Sequence, residues 1–131
     1  MIALRRLDDF HALARHHARS LDQRSYLRAM YGFHAPIEEL VADATPLPRR
    51  EAPRLLRDLR ALGDHAPPPW CPALPDTSTL ARRIGIAYVL HGKKLGPTAE
   101  RLLISRAEQE AALAAAFQTL RCLIHWLSHA R

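Results

Sequence analysis

An all-α fold is predicted for this chain by three observations. Apolar residues in its periodic segments recur at spacings of three and four, which is the period of an α-helix. No segment alternates between apolar and polar residues for long enough to indicate a strand. Residues that start and stop helices flank the periodic segments, among them Ser105 with Glu108 and Gly63. A helical bundle is therefore the expected architecture.

Two helices are predicted in the first third of the chain. The apolar face of the first consists of Leu7, Phe10, Leu13 and Ala14. The apolar face of the second consists of Tyr26, Met30, Phe33, Ile37, Leu40 and Val41. We expect the second helix to bend near Gly32 and Pro36, because proline lacks the N–H that a helix interior uses.

A third helix and a connector follow. The third helix carries Leu55, Leu56, Leu59 and Leu62 on one face and is expected to stop at Gly63. Residues 65–76 then contain five prolines, which favour an extended connector. The pieces on either side are too small to fold alone, so residues 1–131 are predicted to form a single domain.

The last two predicted helices have clear start signals. Thr77 or Ser78 is expected to cap a helix that runs to about Leu95, before Pro97. Ser105 and Glu108 form a capping-box pattern that opens the final helix. The predicted core face of this helix is Leu113, Ala116, Phe117, Leu120, Leu123, Ile124 and Leu127.

Three glycines lie on one face of the fourth helix. Gly85, Gly92 and Gly96 fall within roughly 40° of one another at 100° per residue. Each glycine costs a helix about 1 kcal/mol relative to alanine, so a bare stripe of three requires a reason. Either a neighbouring helix or a planar ligand such as a porphyrin packs against the backbone there.

The residues around these glycines resemble a known family. Gly-x-x-Tyr-Val-Leu-x-Gly-x-x-Leu-Gly at 85–96 is similar to the distal helix of bacterial haem oxygenases, especially the biliverdin-producing type found beside phytochromes. Residues 26–38, with Tyr-Gly-Phe-His-Ala-Pro-Ile-Glu, resemble the family's second helix, and residues 54–63 its middle section. The resemblance covers roughly residues 22–104.

The resemblance implies a shortened haem oxygenase-like helical bundle that cleaves haem oxidatively to biliverdin. Haem, as both substrate and cofactor, is expected between the N-terminal helix and the distal helix, with a reductase or ferredoxin as electron donor. Gly92 and Gly96 match the distal glycines, and Gly85 belongs to the same helix. His91, beside Gly92, is expected either in the distal water network or facing outward.

The axial ligand of the haem iron is expected from the N-terminal helix. His11 is the nearest match to the family's pattern, and His16 and His17 are alternatives, although all three could equally be surface residues. Arg5, Arg6 and Arg121 are candidate partners for the haem propionates, although exposed arginines at these positions need no ligand to explain them.

Other histidines and a cysteine have simpler interpretations. His34 is predicted to be a partly buried, hydrogen-bonded histidine. Cys71, followed by proline, is either a thiolate ligand of haem or a structural thiol. His65, His125 and His129 have no functional pattern around them.

Two departures from the family leave a second function class open. Pro97 replaces a glycine that should follow Gly96, and Lys93-Lys94 replaces the usual small or acidic residues. The helical hairpin that longer relatives carry before the final helix is missing as well. The alternatives are a non-catalytic module that binds haem, bilin or a protein, and a purely structural glycine stripe.

Apolar surface left by the missing hairpin predicts a homodimer.

Composition limits the remaining possibilities. The 131 residues contain no run of about 20 apolar residues and no secretory signal, so a cytoplasmic protein without a membrane span is expected. Two cysteines give no disulfide framework. The net charge of +6 suggests an anionic partner, and haem propionates suit it. Nucleic acid is not expected, because the arginines are spread among leucines at helical spacing.

Overall fold

The computed structural model describes residues 7–42, 50–91 and 101–130, and the regular secondary structure in these ranges is helical. Five long helices follow one another in these ranges: α1 (Asp8–Arg19), α2 (Gln23–Val41), α3 (Ala52–Ala61), α4 (Leu80–His91) and α5 (Arg106–Ser128). These residues include no strand, so the all-α prediction is confirmed. None of the helices in these ranges is long and apolar enough to cross a membrane.

Helix α5 is the element against which α4 and α1 pack. Along α4, Arg82 donates to the Gln118 side chain at 2.6 Å, whereas Gly85 faces Ala112, so α4 and α5 run antiparallel. Phe10 of α1 meets Phe117 edge-on with ring centroids 5.0 Å apart. Leu7, just before α1, shares a cluster with Ala112 and Ala116, whereas Ala14 shares one with Leu123 and Leu127, so these two helices run parallel.

The core forms between α2, α4 and α5, with α1 against one side. Its largest cluster consists of Ala14, Ala29, Phe33, Ile37, Val41, Ile86, Ala87, Ala115, Leu123 and Leu127. A second cluster consists of Leu7, Ile84, Leu103, Ala112, Ala116 and Leu120. The predicted faces are largely confirmed. Leu13, Leu40 and Leu62 are corrections, since they are 44%, 39% and 38% exposed.

Helix α2 continues through both Gly32 and Pro36. Because Pro36 has no N–H, the carbonyl of Gly32, four residues earlier, lacks its usual partner within the helix. The backbone N–H of Cys71 donates to that carbonyl at 2.8 Å. A side chain at residue 32 would overlap the carbonyl oxygen of Pro69, so glycine permits this close approach. The connector is thus fixed to α2 without being helical itself.

The buried carboxylate of Glu38 joins α2 to α3. Its two oxygens accept from the backbone N–H groups of Glu51 and Ala52, each at 2.9 Å, at the start of α3. His34 Nδ1 lies 3.4 Å from the same carboxylate. The first N–H groups of a helix lack partners within the helix, so a side chain from α2 caps α3.

Local signals set most of the helix ends. Ser105 and Glu108 form the predicted capping box of α5, and Gly63, with φ of 84°, follows α3 as expected. The predicted cap of α4 was wrong. The hydroxyl of Thr79, not of Thr77 or Ser78, accepts from the N–H of Arg82 at 3.2 Å, because the helix begins only at Leu80.

Candidate functional site

A cleft of about 820 Å³ lies between α1 and α5 and is closed at one side by the connector. We name it the α1–α5 cleft. It is lined by Phe10, Leu13, His17, Ala73, Gln118, Arg121, Cys122, Ile124, His125 and Ser128. Its volume is in the range of protein pockets that hold organic ligands, and much of its lining is apolar, which is also typical of such pockets.

The apolar wall of the cleft explains why Leu13, which the sequence assigned to the core, is exposed. Leu13 lines the cleft together with Phe10 of the same helix and Ile124 of α5. Neighbouring Ala14 is buried in the core, because successive residues of a helix point about 100° apart. Leu13 is therefore an apolar residue of a concave surface and not of the interior.

Two imidazoles lie at a similar level in the cleft. His17 follows Phe10 by seven residues and His125 follows Phe117 by eight, and the two phenylalanines are in contact. Because α1 and α5 run parallel, these similar steps along them place His17 and His125 toward the same end of the cleft. The ring of His125 packs on that of His129, with centroids 4.4 Å apart.

A guanidinium and a thiol complete the polar part of the cleft. Arg121 lies one turn before His125 on an exposed part of α5, and it is one of the arginines that the sequence proposed for propionate binding. Half-burial raises the pKa of the Cys122 thiol, nearby Cys71 raises it further, and Arg121 partly opposes both. Cys122 is therefore a protonated thiol at neutral pH and a poor metal ligand.

His11, the predicted axial ligand, is half-buried on α1 outside the set that lines the cleft. Burial lowers the pKa of its imidazole, Arg15 lowers it further, and Asp8 partly opposes this shift. His11 therefore stays neutral at physiological pH, as ligation of iron requires.

The described residues do not bring His11 close to His91. His11 follows Phe10 and so lies beside the middle of α5. His91 ends α4 six residues after Gly85, which faces Ala112, so it lies toward the first turn of α5. Gly92, Gly96, Arg5, Arg6 and the lysines and proline near the distal glycines lie outside the described residues.

Gly85 is occupied on its bare side by helix α5. A side chain at residue 85 would overlap the backbone carbonyl of Ala112. Close helix packing therefore accounts for this glycine without a planar ligand. Of the two explanations offered for the glycine stripe, packing against a neighbouring helix therefore applies at Gly85.

His34 and Cys71, which the sequence also considered, are buried and have partners within the fold. His34 is buried against Glu38, as expected for a hydrogen-bonded histidine. The Cys71 thiol is buried and donates to the Ala73 carbonyl at 3.6 Å. Burial raises the pKa of this thiol, although that hydrogen bond lowers it in part, and the result is a structural thiol. No group of three or more metal-ligating side chains occurs within residues 7–42, 50–91 and 101–130.

A second cavity, of about 280 Å³, lies between the start of α2 and the end of α5. Its guanidinium, from Arg28, already binds both carboxylate oxygens of Asp64 at 3.2 Å. Because this second cavity is smaller and its Arg28 is already paired with Asp64, it is a weaker candidate for a functional site than the α1–α5 cleft.

The sequence did not single out His125 as a functional residue. The available signal was the spacing of Arg121 and His125 by four residues, which places both on one face of α5.

Comparison of the chain with models of protein families, with curated proteins and with solved structures finds no match.

Proposed function

We propose that this chain is a haem-binding protein related to the haem oxygenases and that haem occupies the α1–α5 cleft. The observation that carries the proposal is the composition of this cleft of about 820 Å³, which combines apolar walls with two imidazoles and a guanidinium. A haem presents an apolar macrocycle, an iron and two carboxylates, and each has a chemical counterpart in the lining.

Each wall of the cleft has a distinct role in this proposal. Phe10, Leu13 and Ile124 cover the macrocycle and exclude water. An imidazole nitrogen holds the iron, and Arg121 pairs with a propionate in a charge-assisted hydrogen bond. Bound haem supplies a redox-active iron, whose potential depends on its axial ligand and on the polarity around it.

The purified chain is expected to bind haem stoichiometrically and to give a defined Soret band. His17→Ala should shift this band and weaken binding, because His17 lines the cleft. His16→Ala is the matched control, since His16 is an exposed neighbour on the same helix that does not line it. His11→Ala tests the ligand that the family resemblance suggests.

The titration separates the possible results. A shift in His17→Ala alone supports haem in the α1–α5 cleft. A shift in His11→Ala alone would move the haem toward the arrangement implied by the resemblance. Absence of haem uptake by the wild-type chain would contradict the proposed function itself.

Cleavage of haem to biliverdin is the second candidate function, and the sequence at 85–96 favours it. In this version Gly92 and Gly96 let the backbone approach the macrocycle, His91 orders the adjacent water, and a reductase or ferredoxin donates electrons. Pro97 and the missing hairpin favour the non-catalytic version instead.

Gly92→Leu is expected to abolish bilin formation if this second function is correct, because the new side chain would block the distal face while haem stays ligated. The assay is bilin absorbance after haem, oxygen and a reductant are supplied, with thermal stability measured in parallel. A wild-type chain that takes up haem and forms no bilin would exclude the catalytic version.

A homodimer remains part of this proposal. Large apolar side chains are exposed at several described positions, and Ile104, just before α5, is 82% exposed. Burial of such side chains in a second copy would stabilise an association.

A further inference from the structure

We propose that His125 and His129, one turn apart at the end of α5, form a binding site for a divalent transition-metal ion of the kind that prefers nitrogen ligands, such as Ni²⁺, Cu²⁺ or Zn²⁺. Both ligands belong to one helix end, so the site does not depend on a ligand between α1 and α5. It is therefore separate from the proposed haem binding and can be tested separately.

The spacing of the two imidazoles is the first step. Residues four apart on a helix lie on one face, about one turn from each other. The rings of His125 and His129 are in contact, with centroids 4.4 Å apart and planes inclined by 46°. Two nitrogens that each lie about 2.0–2.1 Å from one ion are no more than about 4 Å apart. Rings this close need only side-chain rotation to share an ion, and the helix backbone does not have to move.

The orientation of the His129 ring is the second step. Its Nδ1 lies 2.8 Å from the backbone carbonyl oxygen of His125. Because a carbonyl oxygen only accepts, Nδ1 donates, and Nε2 of the neutral ring keeps its lone pair for a metal ion. The Ser128 hydroxyl lies 3.0 Å from the same Nδ1 and donates to the same carbonyl at 2.7 Å. Metal-binding histidines commonly donate their second ring nitrogen to such a carbonyl, which holds the tautomer and the ring orientation.

The His125 ring is free to bind as well. Among the residues that the structure describes, this ring contacts His129 and takes part in no hydrogen bond. Both histidines are exposed, so an ion can reach them from solvent. The last carbonyl groups of a helix carry partial negative charge, which favours a cation at this end of α5.

The ligand chemistry determines which ions fit. Imidazole nitrogen suits Cu²⁺, Ni²⁺ and Zn²⁺, whereas Ca²⁺ and Mg²⁺ require oxygen ligands. No carboxylate or thiol within the described ranges completes a group of three metal ligands with the two imidazoles. Arg121, one turn before His125, opposes the binding of cations by charge alone. The site therefore selects ions that bind nitrogen strongly and leaves their other coordination positions to water.

The test is titration of the full chain with Ni²⁺, measured by calorimetry and by hydrogen exchange of the backbone amides. The wild-type chain is expected to bind Ni²⁺ and to exchange more slowly in the last turn of α5, because the ion ties residue 125 to residue 129. His125→Ala and His129→Ala should each remove this protection and weaken binding by at least about tenfold, since loss of even an outer-shell partner of a metal ligand costs about 10- to 100-fold. Ca²⁺ should produce neither effect.

The adjacent histidines of α1 provide the matched control. His16 and His17 are successive residues, which point about 100° apart on a helix, and their ring centroids are 6.0 Å apart. His16→Ala should therefore leave the affinity for Ni²⁺ and the exchange protection unchanged, and circular dichroism checks that each variant is folded.

Two results would overturn the metal site. One is wild-type affinity for Ni²⁺ in His125→Ala or His129→Ala, and the other is the absence of Ni²⁺ binding by the wild-type chain. Haem uptake is measured by its own titration, so a failed metal site leaves the proposed function standing.

Discussion

Glu38→Ala is expected to destabilise the protein by about 2–6 kcal/mol, because two backbone N–H groups at the start of α3 lose their acceptor at about 1–3 kcal/mol each. The Glu38 side chain is only 1% exposed, so water cannot readily replace it. The truncation also removes the contact with His34 and leaves a small cavity. Urea denaturation measures the change in the free energy of unfolding.

The adjacent residue provides the matched control. Glu39 is exposed on the same helix, so Glu39→Ala should change stability by no more than about 0.5 kcal/mol. Equal stabilities of the two variants would show that the carboxylate of Glu38 does not cap α3.

The same carboxylate gives the stability a defined pH dependence. Burial raises the pKa of Glu38, but hydrogen bonds from His34 and from the N–H groups of Glu51 and Ala52 outweigh burial and leave it below its ordinary value. The stabilisation is therefore fully present above the ordinary glutamate pKa and is lost as pH falls through the lower pKa of the folded state. The stability difference between wild type and Glu38→Gln should accordingly shrink as the solution is acidified.

Gly85→Leu is expected to destabilise the protein by at least about 3 kcal/mol, the upper end of the usual cost of overpacking a core. Even the first carbon of a side chain would overlap the Ala112 carbonyl, and backbone cannot move aside as a flexible side chain can. Helices α4 and α5 would have to separate, and the variant should melt at lower temperature with or without haem.

A graded series tests this explanation. Gly85→Ala should also destabilise, despite the better helix propensity of alanine. Gly63→Ala is the comparison, since no atom lies within 4 Å of the added carbon and only its φ of 84° is unfavourable, at about 1–2 kcal/mol. A neutral or stabilising Gly85→Ala would mean that the two helices are not in such close contact.

Features that depend on neighbouring residues could be predicted from the sequence. The capping box of Ser105 and Glu108 and the stop at Gly63 are set within four residues, and both are confirmed. The cap of α4 was harder to predict, because Thr77, Ser78 and Thr79 all have suitable hydroxyls. Which of them caps the helix depends on the residue at which the helix begins.

The candidate cleft could not be predicted, because it depends on the pairing of distant segments. His17 and His125 belong to one site only because Phe10 and Phe117 set α1 and α5 in parallel register. No local period indicates that alignment, and for the same reason Leu13 was assigned to the core. The role of Glu38 was likewise hidden, since its partners start another helix.

Pro36 makes one carbonyl of α2 different from its neighbours. A regular helix interior is repetitive, and a segment that lies across it finds no position chemically preferred over the next turn. Because Pro36 has no N–H, the carbonyl of Gly32 is left without a partner inside the helix and differs from its neighbours. The N–H of Cys71 donates to it. A slip of the connector by one turn would leave the donor and the acceptor both unpaired, so a missing bond specifies where the connector lies. Ala73, two residues later, is thereby placed at the edge of the α1–α5 cleft, so a proline inside α2 helps to position a residue that lines a cleft between two other helices.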